Sequence, residues 1–415
     1  MHAENLGLTL PLWSVIPFVG ILLTIALLPL WKPHWWESNA NKSWVSFLWA
    51  APVFIFFVLK GRQDLTHTMQ EYISFIVLLG ALFIVSGGIV LRGDLKATPM
   101  VNTSFLLIGS ILANFIGTTG ASMLLIRPLI KTNQERKHIH HIPIFFIFLV
   151  SNIGGCLTPL GDPPLFMGFL KGVPFFWTLK LFPEWLTTLT IILIIFYLMD
   201  RHYYKREAPI DLRHDLEQIE PLSLKGKINF LWIGGVICGV LLHSPYREIV
   251  LVAMSIMSLI TTKKEYRKEN VFTFNPIIEV AVLFLGIFIT MIPTLLILNA
   301  RGAQFGINQP WQFFWLTGSL SSFLDNTPTY LTFFSLSQGL GLNGEMLGIP
   351  TDFLKAISLG AVFMGANSYI GNGPNFMVKA IVEENKIKMP SFFGYMFYAA
   401  VILIPIFIII TLIYL

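Results

Sequence analysis

The chain is written in apolar runs of roughly 17–25 residues, the length that crosses the hydrocarbon core of a bilayer. Uninterrupted runs fall at 12–31, 44–60, 72–91, 182–199, 228–243, 247–261, 276–299 and 391–415. A soluble surface needs charge, and soluble domains carry about 25% charged residues. Here 12% of 415 residues are charged and 54% are hydrophobic. Backbone at membrane depth must satisfy its own hydrogen bonds, which leaves helices or closed barrels. Runs of this length predict an all-α membrane protein, with the lipid bilayer as its first partner.

Four further apolar stretches are interrupted by polar and helix-breaking residues. The stretch 101–130 contains Gly117-Thr118-Thr119-Gly120, and 311–340 contains Asp325-Asn326-Thr327-Pro328-Thr329. The stretch 142–180 is broken from Ser151 to Pro164, and 353–378 from Asn367 to Asn375. The two kinds of break recur in the same order in each half. Gly109-Ser110 precedes the first and Gly318-Ser319 its counterpart, and at that offset Thr118 falls on Thr327. Asn152 to Pro159 and Asn367 to Pro374 both read Asn-x6-Pro. Matches in corresponding places point to an internal duplication. The expected division is 1–199, a cytoplasmic linker at 200–227, and 228–415.

Charge gives an orientation. If 101–130 and 311–340 are re-entrant hairpins and the other two stretches cross, one side collects most of the 28 Lys and Arg residues. That side holds Lys131, Arg136 and Lys137, the run from Arg201 through Arg213 to Lys227, and Lys263 to Lys268. The other side receives Lys60, Arg62, Lys171, Lys180, Arg247, Arg301 and Lys355. The rich side is expected to be cytoplasmic. Both termini then lie outside a bacterial inner membrane, and the two repeats are inverted. Met1 to Asn5 lacks the basic region of a signal peptide, so the first run is expected to be retained.

The net charge of +5 reflects the placement of loops and does not call for nucleic acid. Cys156 and Cys238 sit in apolar runs and suggest neither a disulfide nor a metal site. His138, His140 and His141 lie in a basic loop that reads as solvated. No metal-ligand spacing, phosphate loop or nucleophile elbow occurs, so a membrane enzyme has little support and no cofactor is expected.

The breaks are where chemistry is expected. Irregular backbone at membrane depth survives only where protein or a water-filled cavity satisfies it, and paired interruptions mark transporter binding sites. Asn, Thr, Ser and Asp oxygens with free carbonyls suit a small hard cation. The candidate ligands are Thr118, Thr119, Asn326 and Thr327 at the hairpin tips, Ser151, Asn152 and Thr158 in the first broken segment, and Asn367, Ser368, Asn372 and Asn375 in the second. Asp325 is the sharpest feature, because a charge at mid-bilayer costs about 2.5–3.5 kcal/mol on insertion scales. It could also cap the half-helix that follows it. Asp162, before Pro163-Pro164, and Glu279 are further candidates for coupling proton and cation. Glu184, in Pro183-Glu184-Trp185, reads as an interfacial residue.

The run Ser151 to Pro164 resembles the broken-helix motif of the ion transporter superfamily of citrate, dicarboxylate and arsenite carriers. Pro276 to Val280 and Ser321 to Tyr330 bring the likeness nearest to NhaD-type sodium/proton antiporters. The resemblance implies a homodimer of scaffold and mobile transport regions with elevator-like motion. It implies sodium, with lithium as an alternative ion, and protons as cargo. A cation-coupled citrate or dicarboxylate carrier, or an arsenite-type oxyanion exporter, is the alternative. In dicarboxylate carriers of the superfamily each hairpin tip reads Ser-Asn-Thr; here the tips read Gly117-Thr118-Thr119 and Asp325-Asn326-Thr327. Leu165 stands where the family often has Asn after the paired prolines.

Overall fold

The computed structural model describes residues 2–208 and 220–415. The helices are α1 (His2–Thr9), α2 (Ile16–Trp31), α3 (Pro33–Trp36), α4 (Asn39–Lys60), α5 (Arg62–Ser86), α6 (Pro99–Thr132), α7 (His141–Leu149), α8 (Pro163–Leu170) and α9 (Phe182–Tyr204). The second half carries α10 (Ile228–Val240), α11 (Tyr246–Thr261), α12 (Lys264–Glu269), α13 (Asn275–Arg301), α14 (Pro310–Ser321), α15 (Asn326–Gln338), α16 (Thr351–Met364), α17 (Gly373–Glu384) and α18 (Phe392–Tyr414). Among the described residues, seven segments are long and apolar enough to cross a membrane. The protein is an all-α, multi-pass membrane protein.

One short sheet departs from the helical pattern. The expected span 72–91 stops at Ser86, and Val90–Asp94 (β1) pairs antiparallel with Glu220–Lys225 (β2). Val90 lies opposite Lys225 and Leu91 opposite Leu224. The Gly87-Gly88 pair ends the helix, and branched residues then extend the chain. Of the expected linker 200–227, residues 209–219, with Arg213, lie outside the described residues.

Both interrupted stretches of the first kind fold back on themselves. Asn102 and Asn133 bracket α6 and exchange hydrogen bonds of 2.9 and 2.8 Å. A continuous helix would hold them about 46 Å apart at 1.5 Å per residue. The reversal is at Gly117, whose φ of 76° and ψ of 155° belong to a region that only glycine enters freely. In the second hairpin, the rings of Phe313 on α14 and Phe333 on α15 lie 6.1 Å apart. Residues 322–325 form the reversal.

The stretches of the second kind are broken helices. A 3-10 turn at Ile153–Leu157 and an extended link separate α7 from α8, and a 3-10 turn at Gly365–Asn367 separates α16 from α17. Each hairpin packs on the break of its own half, α6 on the turn 153–157 and α14 on α16. Each also crosses to the other half, with α15 on α8 and α17 on α6. The four pieces therefore share one buried centre. Helix α13 packs on α4 and α5 to one side and reaches α15 on the other.

Candidate functional site

The centre is built by chain reversals that expose peptide groups to each other. Asp325 begins α15 and its carboxylate accepts from Thr327 N at 3.0 Å, a side-chain cap on the half-helix. Across the centre, Thr118 N at the first hairpin tip donates to Gly161 O at 2.9 Å, tying the tip to the first break. Close approach there depends on glycine. A Cβ on Gly154 would lie 2.6 Å from the Cα of Ser110 in the hairpin arm.

Asp162 stands where all four pieces meet. It is 1% exposed, and it precedes α8 without making a side-chain cap bond. Its Oδ1 accepts from Thr118 Oγ1 at 3.1 Å and from Asn372 Nδ2 at 3.0 Å. Its Oδ2 accepts from Asn326 Nδ2 at 2.7 Å. The three donors come from the first hairpin tip, the second break and the second hairpin tip. All are neutral. Asp325 lies close enough for its charge to act on Asp162. A buried carboxylate among neutral donors keeps its negative charge only at a cost, unless a cation or a proton joins it.

A second layer of amides fixes these donors. Asn152 Nδ2 donates to Asn375 Oδ1 at 2.7 Å and to Ile147 O at 2.8 Å. Asn372 Nδ2 also reaches Ser151 O and Asn152 Oδ1, both at 3.2 Å. Asn375 Nδ2 donates to Gly365 O at 2.8 Å and Ser368 O at 2.9 Å. Ser151 Oγ meets Ser122 Oγ at 2.9 Å. Asn367 donates to Ser322 Oγ at 2.9 Å, while its Oδ1 is buried with no partner. That orphan acceptor is an oxygen available to a cation.

The two breaks share one hydrogen-bond pattern. Thr158 Oγ1 donates to Asn114 O and accepts from Leu160 N and Gly161 N at 3.2 Å. Ser368 Oγ donates to Ser322 O and accepts from Ile370 N and Gly371 N at 3.2 Å. Asp162 and Asn372 then occupy the same extended step before α8 and α17. This register differs from the one read from Asn-x6-Pro: Thr158 corresponds to Ser368 and Pro164 to Pro374, so Asn152 and Asn367 are not counterparts. Likewise Thr118 and Asn326 are the two tip residues that grip Asp162, rather than Thr118 and Thr327. Leu165 then matches Asn375, which the second break does place after its proline.

The structure brings together Asp162, Thr118, Asn326, Asn372, Ser151, Asn152 and Asn375, with Asp325, Thr327, Thr158, Ser368 and Asn367 at the adjoining turns. Thr327 Oγ1 makes a long contact, 3.4 Å, to Asn326 Oδ1, and its side chain also bonds the Asp325 carboxylate. Thr119 is half-buried and makes no side-chain hydrogen bond among the described residues. Glu279 is placed elsewhere: on α13 it pairs with Lys42 at 2.7 Å. Two residues were not anticipated. Asn114 spans hairpin and break, donating to Gly154 O at 2.7 Å and accepting from Leu157 N at 2.8 Å. Its signal is a polar residue one helical turn before Thr118, on the same face. Ser322 does comparable work at the second tip, donating to Met364 O at 3.1 Å.

Two surface readings are corrected by burial. Glu184 is fully buried rather than interfacial, and it pairs with Lys355. The loop at 131–141 is not solvated throughout: Arg136 is buried and binds Asp200 at 2.6 Å, and His141 meets the same carboxylate at 2.9 Å. Asp200 at the end of α9 gathers them, which anchors the base of the first hairpin.

A search of curated proteins returns no match. The model of one family, CitMHS_2, described as "Putative citrate transport", matches residues 7–415. The match runs through both hairpins, both breaks and the Asp162 centre, and the chain belongs to this citrate-transport family.

Proposed function

We propose that the protein is a secondary transporter in which Asp162 binds either sodium or a proton, so that sodium is exchanged for protons across a bacterial inner membrane. The observation that carries this reading is the set of partners of Asp162: three neutral donors, from both hairpin tips and the second break, and no Lys or Arg among the described residues. One carboxylate that a cation and a proton each neutralise couples their movements, because occupancy by one excludes the other. Turning the Asn326 and Asn372 amides about χ2 replaces NH2 by oxygen toward the centre. With Asp162 this directs toward the centre the kind of oxygens that a hard cation requires. Asp325 adds negative charge nearby, which favours a cation over a carboxylate substrate.

The hairpins and breaks are read as the mobile part of an elevator, in two inverted repeats of a homodimer, with both termini outside. Lithium is expected to substitute for sodium. The second reading is a cation-coupled citrate carrier, with which the family description is equally compatible. The test offers sodium, lithium, potassium and citrate in turn to proteoliposomes acidified inside and loaded with a pH-sensitive dye. Proton movement driven by sodium or lithium alone supports exchange. Sodium-dependent uptake of labelled citrate with no proton exchange would replace it by the carrier.

A further inference from the structure

The short helix α8 has Asp162 at one end and Lys171 at the other. Asp162 precedes its first turn and Lys171 follows its last. The eight residues between them span about 12 Å at 1.5 Å each. A single short helix moves as a unit, so a shift at one end is a shift at the other. Asp162 is 1% exposed, and an ion reaches it only after the parts packed around it separate.

The Lys171 end of α8 is gripped by two helices. Lys171 Nζ lies 2.7 and 2.9 Å from the two carboxylate oxygens of Glu71 on α5. About one turn further along α5, Ser74 Oγ donates to Glu248 Oε1 on α11 at 2.5 Å and accepts from Arg247 Nη2 at 3.3 Å. Arg247 Nε donates to the same Glu248 oxygen at 3.0 Å. The Arg247 guanidinium carbon also sits 5.9 Å from the ring centre of Phe169 on α8, within cation–π range. The Glu71 side chain is 8% exposed and that of Lys171 21%, so water screens the pair only in part.

The pair joins two groups of helices. Helix α5 packs on α4, α11 and α13, whereas α8 packs on α15 and α16 around Asp162. Lys42–Glu279 joins α4 to α13, and Lys355–Glu184 joins α16 to α9, each inside one group. Lys171–Glu71 runs from one group to the other. A permanent staple would account for the contact alone. Buried pairs are a weak source of stability, however, and their best-attested use is to fix a register or a switch. A staple also gives no reason for its place on the helix that begins at Asp162.

We propose that the Glu71–Lys171 pair, backed by Ser74, Arg247 and Glu248, is a latch that holds α8 against α5 and α11 while Asp162 is buried, and that it parts in every transport cycle. When it parts, both charges pass into water, which offsets the lost attraction, and α8 carries Asp162 with it. This latch rests on the reading of the hairpins and breaks as the mobile part of the transporter.

The test bridges the latch in the full chain. Glu71→Cys/Lys171→Cys is made together with Cys238→Ser, and the fully buried Cys156 is kept. Replacing both partners leaves no buried charge unpaired. An ion pair between two long side chains exceeds the reach of a disulfide, so a bis-methanethiosulfonate joins the thiols and dithiothreitol releases them. Sodium-driven proton movement in proteoliposomes is expected to fall by at least about tenfold when bridged and to recover to within about twofold on release. Transport at an unchanged rate with the bridge in place would overturn the latch and leave the staple. If the double variant is inactive even when reduced, Glu71→Gln/Lys171→Cys is labelled at position 171 with a maleimide, with and without a sodium gradient. Faster labelling under the gradient supports the latch, and equal rates overturn it. The wild type tests the parent reading separately. If it takes up labelled citrate without exchanging sodium for protons, the exchange reading fails, and citrate uptake by the same bridged sample decides the latch.

Discussion

Replacing Asp162 with Asn removes one charge from the centre and nearly nothing else. The wild-type carboxylate accepts three hydrogen bonds, at 3.1, 3.0 and 2.7 Å. Bonds to an ionised group contribute about 1.5–3 kcal/mol each. Asn keeps one oxygen and sets an NH2 group against at least one of these donors. The Asn326 amide can turn to meet it, and the Thr118 hydroxyl can rotate. The variant also escapes the cost of burying a charge, which is several kcal/mol before compensation. These terms oppose, so the variant is expected to stay within about 2 kcal/mol of the parent in stability. Sodium binding has no such compensation. At 4 Å and an effective dielectric of about 20 a pair of unit charges attracts by about 4 kcal/mol. Each 1.4 kcal/mol is about tenfold, so the loss is about a thousandfold in affinity. The assay is thermal unfolding in detergent, in sodium chloride and in choline chloride. Sodium at about a hundredfold above its Kd should stabilise the wild type by about 2.7 kcal/mol. The curves of Asp162→Asn should coincide in the two salts. A variant that keeps the sodium-dependent shift and the transport would refute the placement of the ion at Asp162.

Three other substitutions probe the surroundings. Asp325→Ala should lower stability by about 1 kcal/mol through loss of the α15 cap, whereas Asp325→Asn should retain the cap and show slowed but measurable exchange; equal melting temperatures for the two would rule out the cap. Gly117→Ala forces a Cβ into the φ 76°, ψ 155° conformation, with an expected cost of about 1–3 kcal/mol, read as a lower melting temperature together with loss of transport. Glu279→Gln, remote from the centre and paired with Lys42, should leave the pH profile and the sodium KM unchanged, and a shift in either would bring Glu279 back into the coupling machinery.

The legible part of this protein was its one-dimensional pattern. Apolar run length sets helix length, so six long segments, both hairpins and both breaks could be placed from the sequence. Gly, Pro, Asn and Asp at membrane depth marked the breaks, because such residues disrupt helices wherever they stand. The candidate ligands were therefore nearly all named.

Their ranking needed the tertiary structure. Asp325 looked sharpest because it sits mid-segment with its polar neighbours in a row, yet its carboxylate is occupied by a local cap. Asp162 was one further candidate beside Glu279, yet it alone receives donors from residues 118, 326 and 372. No local rule can see such a meeting, since it depends on how the hairpins cross between halves. Burial of Glu184 and Arg136 was hidden for the same reason: a charge in a loop reads as solvated until a partner such as Lys355 or Asp200 arrives from a distant helix. Even the internal register misled, because Asn-x6-Pro matched letters while the backbone aligned Thr158 with Ser368. Periodicity and breakers fixed where the chain crosses and where it stops. Which stop became the centre was decided by packing, because a buried charge is governed by the groups that surround it in space.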